Sequence, residues 1–246
     1  MRSDVKVIYI DEKHTKGAGR ARNYGLKEAK GSWLVFADCD DYFVPGFIDI
    51  LDKYKDEDLE VVYHDAHAAN TQTLVSMPKL LQKHSGYFKT YDGSKRAEDI
   101  IRFRINSPWW KIVRRDFIEK YQIQFEEVPK GNDVFFTYQV GFFAKKISIE
   151  REKLYVYTFN PDGITNGKKN KNIYLSQLRN SMKSNEFFKF IGHPEWIHNR
   201  HRLWLKMIRR SGIIVFLETL FAYLSNYRDM QSTKMEYVES IKSRTL

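Results

Sequence analysis

The stretch from Gly17 to Asp41, GAGRARNYGLKEAKGSWLVFADCDD, decides how the rest of the chain is read. It contains a glycine-rich turn, a short helix, a buried strand and then a knot of carboxylates. Gly17 and Gly19 supply permissive backbone for a tight turn. The spacing predicts a helix over Ala18 to Ala29, with Ala21, Leu26 and Ala29 sharing an apolar side and Gly31 closing it. Trp33-Leu34-Val35-Phe36-Ala37 is a continuous apolar run of strand length, the pattern of a strand covered on both faces. Asp38, Asp40 and Asp41 follow at once. Such charges repel one another unless a cation or strong donors neutralise them. In open α/β sheets, ligands bind outside the carboxyl ends of the strands. Two readings stay open from spacing alone. One is a hard divalent ion shared with a diphosphate; the other is an acidic turn capping the helix that Pro45 and Gly46 introduce.

The same residues resemble the core of the family 2 glycosyltransferases, which use an A-type nucleotide-sugar-binding fold. In that family a Gly-x-x-x-Ala-Arg-Asn-x-Gly-Leu segment leads through a helix and Lys-Gly to a hydrophobic strand ending in Asp-x-Asp-Asp. Here it reads Gly17, Ala21-Arg22-Asn23, Gly25-Leu26, Ala29-Lys30-Gly31, then Asp38-Cys39-Asp40-Asp41. The resemblance implies that Asp40 holds Mn²⁺ or Mg²⁺, with Asp38 near the ribose or in the metal shell. It further implies that Asp41 supports them and that Arg22 orders the cluster, so that all four serve donor binding.

Further matches lie downstream. Trp109-Trp110-Lys111-Ile112-Val113-Arg114-Arg115 resembles the family's Trp-x-Lys-Leu-x-Arg-Arg segment. That implies an acceptor-side floor from Trp109 or Trp110, although a tryptophan pair is equally at home in a core. Gly131-Asn132-Asp133 stands where the family has Gly-Glu-Asp, which implies Asp133 as the catalytic base. An acid at the start of the helix predicted over Val134 to Ala144 also suits a plain N-cap, and the two roles are compatible. The family normally opens with two further βα units that grip uracil and ribose. Neither is recognisable here, so the chain is expected to enter the fold at its third strand.

With 246 residues the chain suits one domain with an appendage. We expect an α/β domain over 1–166, a mixed, mainly parallel sheet of the A-type glycosyltransferase fold that is incomplete at its N-terminus. Residues 167–246 read as a helical C-terminal region. The single cysteine, Cys39, excludes an internal disulfide framework and suits a reducing compartment. No signal peptide is legible at the start, and no apolar run reaches the roughly 18 residues of a membrane span. The expected location is cytoplasmic, with the inner face of the membrane as an option. The formal charge of +10 points to an anionic partner, a nucleotide diphosphate or anionic lipid. The basic residues read as dispersed and no nucleic-acid module is legible, so nucleic acid is set aside.

The remaining patterns are local. Val5 to Ile10 alternates and reads as a strand; Tyr42 to Pro45 reads as a turn and Phe47 to Lys55 as a helix. Leu59 to His64 reads as a strand, with His64 and His67 as ordinary polar positions rather than metal ligands. Ala69 to Gly93 is weakly patterned and expected as loop or short strands; Ser94 caps a helix to Arg104. Lys146 to Glu150 and Lys153 to Phe159 read as a hairpin, followed by a turn from Asn160 to Thr165. Lys168, Lys169 and Lys171 read as solvated, with phosphate neutralisation as the sharper alternative. Ser211 to Leu224 is strongly apolar behind Arg209 and Arg210, suiting helices packed on the domain or on a second copy, or else an interfacial anchor. The family resemblance implies an inverting, metal-dependent transfer from a nucleotide-diphosphate sugar to a glycan or lipid-linked acceptor hydroxyl, of polysaccharide or glycolipid type. The rival is a truncated, non-catalytic binding or assembly module.

Overall fold

A computed structural model describes residues 5–10, 17–160 and 169–245. The chain divides into two compact units. The first comprises Met1–Tyr9, Arg22–Phe125 and Asp133–Thr165; the second comprises Ile10–Ala21, Glu126–Asn132 and Asn166–Leu246. One segment from early in the sequence and one from its middle therefore group with the C-terminal helices.

The first unit is a mixed α/β layer. Its strands are β1 (Trp33–Val35), β2 (Tyr42–Phe43), β3 (Val61–Asn70), β4 (Lys111–Arg114) and β5 (Ile147–Phe159), arranged in the order β1-β4-β3-β5-β2. Around them lie α1 (Ala18–Glu28, its last turns), α2 (Phe47–Asp52), α3 (Pro78–Lys89), α4 (Lys95–Arg104), α5 (Arg115–Lys120) and α6 (Val134–Phe143). β3 is the central strand, buried from Val61 through Ala66. Val62, Ile112 and Leu154 meet at one face, with Trp33, Val35, Ile50 and Leu51 packed over them. α6 is apolar all round and almost wholly buried, as a helix without a polar face must be.

Only β3 and β5 run parallel. β1 with β4, β4 with β3 and β2 with β5 are antiparallel. The expectation of a mainly parallel sheet is therefore corrected: the sheet is mixed and only partly parallel. A continuous apolar run reports burial on two faces, and burial carries no information about strand direction.

The hairpin expected over residues 146–159 is a single strand. Glu150 stands opposite His64 and Lys153 opposite Asp65, so Arg151 and Glu152 bulge out of the ladder. The Glu150 carboxylate turns back to accept from the Glu152 amide at 3.0 Å. A charged bulge carries the same signature as a polar turn. The Val5–Ile10 strand is absent: these residues form no regular element, and Val5, Val7 and Tyr9 are exposed. No strand among the described residues pairs with them, and an alternating pattern needs a ladder to become a strand. Tyr42 and Phe43, read as a turn, pair with Val156 and Tyr155. Ala69 to Gly93 holds the helix α3, with Pro78 in its first turn and Leu81, Ser85 and Phe88 on its buried side. α4 forms as read, the Ser94 hydroxyl accepting from the Ala97 amide at 3.2 Å.

The second unit is helical: α7 (Lys171–Phe190), α8 (Arg200–Ser225) and α9 (Tyr227–Lys242). Tyr174, Leu178, Phe187, Phe188, Met230 and Ile241 form its interior. Gly212, at φ 83° and ψ 173°, interrupts α8. Segment 126–132 packs in the same unit, and the approach is close. A Cβ on Gly19 would lie 2.1 Å from the Glu126 carbonyl oxygen, so only glycine fits. The Lys183 ammonium, almost fully buried, pairs with the Glu126 carboxylate.

Candidate active site

The strand β1 delivers its carboxylates into a turn closed by the Asp41 amide on the Asp38 carbonyl at 3.1 Å. β5 holds that turn in place. The Tyr155 hydroxyl accepts from the Asp38 amide at 2.9 Å and donates to Asp41 Oδ2 at 2.8 Å. Thr158 donates its amide to Asp41 Oδ1 at 2.6 Å and its hydroxyl to the Asp40 carbonyl at 2.6 Å. Asp41 is thus fully engaged in shaping the turn. Burial pushes its pKa up to about 6 against the Thr158 and Tyr155 hydrogen bonds, with Asp40 and Asp38 adding to the rise. Burial likewise pushes the Tyr155 hydroxyl well above its ordinary value, which keeps it a donor.

Asp38 is paired with Arg22, Nη2 to Oδ1 at 2.6 Å. Arg22 also lies over the Phe125 ring, 5.4 Å from its centre. The next residue of the motif, Asn23, binds Phe125 with both ends of its amide. Phe125 in turn stacks on Phe136, in the first turn of α6, with ring centres 3.9 Å apart. Asp133 stands at the N-cap of α6, yet its side chain makes no capping hydrogen bond. It is half-buried. Burial raises its pKa; its own backbone amide, Arg22 and Lys111 work against that rise, and Asp38 adds to it. Asp133, Arg22, Asp38 and Lys111 therefore share one electrostatic environment.

Asp40 differs from its neighbours. It is exposed, and its carboxylate makes no hydrogen bond or ion pair among the described residues. Among those residues no group of three or more His, Cys, Asp and Glu side chains is gathered to hold a metal ion by itself. The donor set fits a different arrangement: Mg²⁺ or Mn²⁺ held by one or two carboxylates and completed by phosphate oxygens of a ligand. Asp40 offers a free carboxylate for that, and Asp38 retains an oxygen beyond the one bound to Arg22.

Trp109 and Trp110 are both in the interior, at 5% and 2% exposure. Trp109 stacks on Tyr155 at 4.8 Å and on Tyr157 at 5.8 Å; Trp110 stacks on Phe88 at 5.7 Å. Their rings thus carry the aromatic layer behind the acidic turn. His64 is buried and neutral, its pKa lowered by burial to about 4, with Nδ1 3.0 Å from the Asp65 carbonyl. Residues 161–168, including the Gly163-Ile164-Thr165 turn and Lys168, lie outside the described residues.

Three features escaped the sequence reading. Tyr155 and Thr158 looked like ordinary strand positions. Asn23 was matched in the motif without a task. Lys111 is fully buried, its Nζ donating to the Ser107 carbonyl at 2.9 Å and to the Ile105 carbonyl and Thr137 hydroxyl at 3.3 Å. Burial lowers its pKa to about 7. The signal was a lone lysine inside an apolar run, Trp-Trp-Lys-Ile-Val.

The family model described as Glycosyl transferase family 2 matches residues 1–122, the span that carries Arg22 and the acidic turn. The chain belongs to glycosyl transferase family 2. The putative glycosyltransferase EpsH of Bacillus subtilis is 26% identical over 168 residues, 67% of this chain and 47% of EpsH. The uncharacterized glycosyltransferase YibD of Escherichia coli is 25% identical over 193 residues, 73% of this chain and 56% of YibD. This family 2 chain spans about half the length of the curated relatives it matches. Among solved structures, residues 1–349 of S. aureus TarS in complex with UDP-GlcNAc superpose with a TM-score of 0.54 at 21% identity. The match covers 73% of this chain and 49% of that one. That likeness supports the A-type glycosyltransferase fold.

Proposed function

We propose that this chain transfers a sugar from a nucleotide-diphosphate sugar to an acceptor hydroxyl on a glycan or lipid-linked substrate, with inversion at the anomeric carbon. The observation that carries this reading is the division of labour among the acids. Asp41 is spent on the turn and Asp38 is held by Arg22, while Asp40 is unengaged and Asp133 stands in the same field at the start of α6.

In this reading Asp133 takes the acceptor proton as the hydroxyl oxygen attacks the anomeric carbon in line with the departing diphosphate. A raised pKa makes it a stronger base once ionised, and the α6 N-terminus favours the ionised form. Asp40, with Asp38, would hold the divalent ion. When bound, such an ion offsets negative charge gathering on the leaving diphosphate. Arg22 holds Asp38 in its orientation through their ion pair. The Trp109 ring, backed by Trp110, supports the acceptor side from beneath through Tyr155 and Tyr157. The TarS complex holds UDP-GlcNAc, which makes that compound the first donor to try. Lipid-linked polysaccharide precursors are the acceptors to try with it.

The test is donor turnover with UDP-GlcNAc and other UDP-sugars in Mn²⁺ or Mg²⁺, in the native chain and in Asp133→Asn. A loss of about 10²-fold or more in Asp133→Asn with donor binding kept supports the base assignment. Full turnover in that variant overturns it. Donor binding without any turnover in the native chain favours the non-catalytic binding module.

A further inference from the structure

The helical unit carries nearly all of the chain's excess charge. Residues 166–246 hold 15 lysines and arginines against 6 acids, nine of the ten net positive charges. The basic residues are therefore concentrated, where the sequence reading took them as dispersed. Within that unit burial lowers the Lys169 pKa to about 8, with repulsion from Lys130, Lys206 and Arg210 adding to the fall. Lys206, Arg209 and Arg210 are exposed and make no ion pair among the described residues. Lys206, Arg209 and Arg210, which have no acid partner among the described residues, are prepared for an anion from outside.

Directly after these residues, α8 is inside out. Beyond Gly212, Ile213, Ile214, Leu217, Phe221 and Leu224 are 55 to 76% exposed. The side that packs carries the fully buried Thr219, with Phe216 and Tyr223 against the Trp204 ring. A surface helix of a globular protein turns its apolar stripe inward. Here isoleucine, leucine and phenylalanine recur at helical spacing on the outward side, interrupted only by Glu218. A contiguous outward apolar face of this kind marks an interaction surface.

We propose that this face of α8 docks on an anionic lipid surface, the apolar residues entering the acyl boundary and the Lys206–Arg210 cluster meeting the headgroups. The inference stands apart from the sugar-transfer reading. None of the described helices is long and apolar enough to cross a membrane, so α8 lies in the interface plane. Charge chooses this occupant over the others. A second copy would bring the same uncompensated cations against themselves, and a nucleic acid has no use for exposed isoleucine and leucine.

Vesicle flotation of the full chain tests this, using phosphatidylcholine vesicles with and without about a third phosphatidylglycerol. The native chain is expected to float with the anionic vesicles and to stay behind with the neutral ones. Leu217→Asp with Phe221→Asp, and separately Lys206→Glu with Arg210→Glu, are each expected to weaken binding roughly tenfold or more. No flotation with anionic vesicles, or flotation unchanged in both variants, overturns the proposal. A dimer in sedimentation velocity that the two Asp substitutions abolish assigns the face to a second copy and overturns it as well. Brominated acyl chains give a second measurement once a tryptophan stands on the outward face, where Phe221 is 76% exposed. Phe221→Trp should show quenching beyond that of the native chain, and no added quenching overturns the proposal.

Discussion

Asn23 clamps Phe125 by both ends of its amide: Nδ2 donates to the Phe125 carbonyl at 3.0 Å, and Oδ1 accepts from the Phe125 N–H at 2.9 Å. The motif residue imitates one rung of a strand ladder and fixes a segment 102 residues away. Because Phe125 stacks on Phe136, the clamp reaches the first turn of α6, beside Asp133. Asn23→Ala leaves both Phe125 backbone groups without their partner. A loss of about 2–3 kcal/mol in chemical denaturation is expected. Asn23→Asp keeps the acceptor but sets a charge against the carbonyl, and it should not recover the loss.

The charges around Asp133 make a sign test. Arg22 and Lys111 lower its pKa, and Asp38 raises it. Arg22→Gln and Lys111→Met should each move the Asp133 titration to higher pH, while Asp38→Asn should move it lower. Carbon-13 NMR of the carboxyl reads this without relying on turnover. In the active protein, the acid limb of kcat/KM should follow the same directions. A uniform shift in all three variants would point to general unfolding of the site instead.

Asp41 links the acidic turn to acid stability. Its folded pKa is about 6 against 3.8, so the fold prefers the protonated form. The stabilisation is fully present below pH 3.8 and is lost as pH rises through about 6. Asp41→Asn mimics the protonated acid and keeps an oxygen for the Thr158 amide. At pH 7 it should equal or exceed the native chain, by about 1 kcal/mol once solvent screening of a partly exposed group is allowed for. The Tm difference between the two proteins should shrink toward zero at pH 4.

The site was legible in part, and the division has a physical basis. Arg22, Asp38, Asp40 and Asp41 lie within one continuous stretch, so their clustering could be read from local spacing, while the role in donor binding is what the family resemblance implies. The role of each acid was not legible, because it depends on Tyr155 and Thr158 arriving from β5. α4 could be read from its Ser94 cap, and α6 from its apolar run behind Asp133, whose side chain stands at the N-cap position without capping. α3 could not, since its polar residues dilute the spacing of Leu81, Ser85 and Phe88. Strand direction is a tertiary property, which is why the mainly parallel expectation failed: β4 runs antiparallel to both β1 and β3.

Gly19 gives a prediction confined to the helical unit. An added methyl would collide with the Glu126 carbonyl oxygen at 2.1 Å, and backbone cannot step aside as a side chain can. Gly19→Ala should cost about 1–3 kcal/mol, seen as a lowered Tm. Gly25→Ala, where nothing lies within 4 Å of the added carbon, serves as its control and should be neutral or mildly stabilising.

The acidic turn owes its shape to Tyr155 and Thr158, 117 and 118 residues further along. On the ribosome, therefore, the aspartates emerge before β5 and wait. Until β5 has been made and has joined β3, Asp38 to Asp41 is an unheld string of like charges. Any nascent or cleaved product ending before residue 155 carries the whole signature motif and none of its geometry. Long-range closure of this kind slows folding, and it postpones the folded shape of the acidic turn until β5 exists.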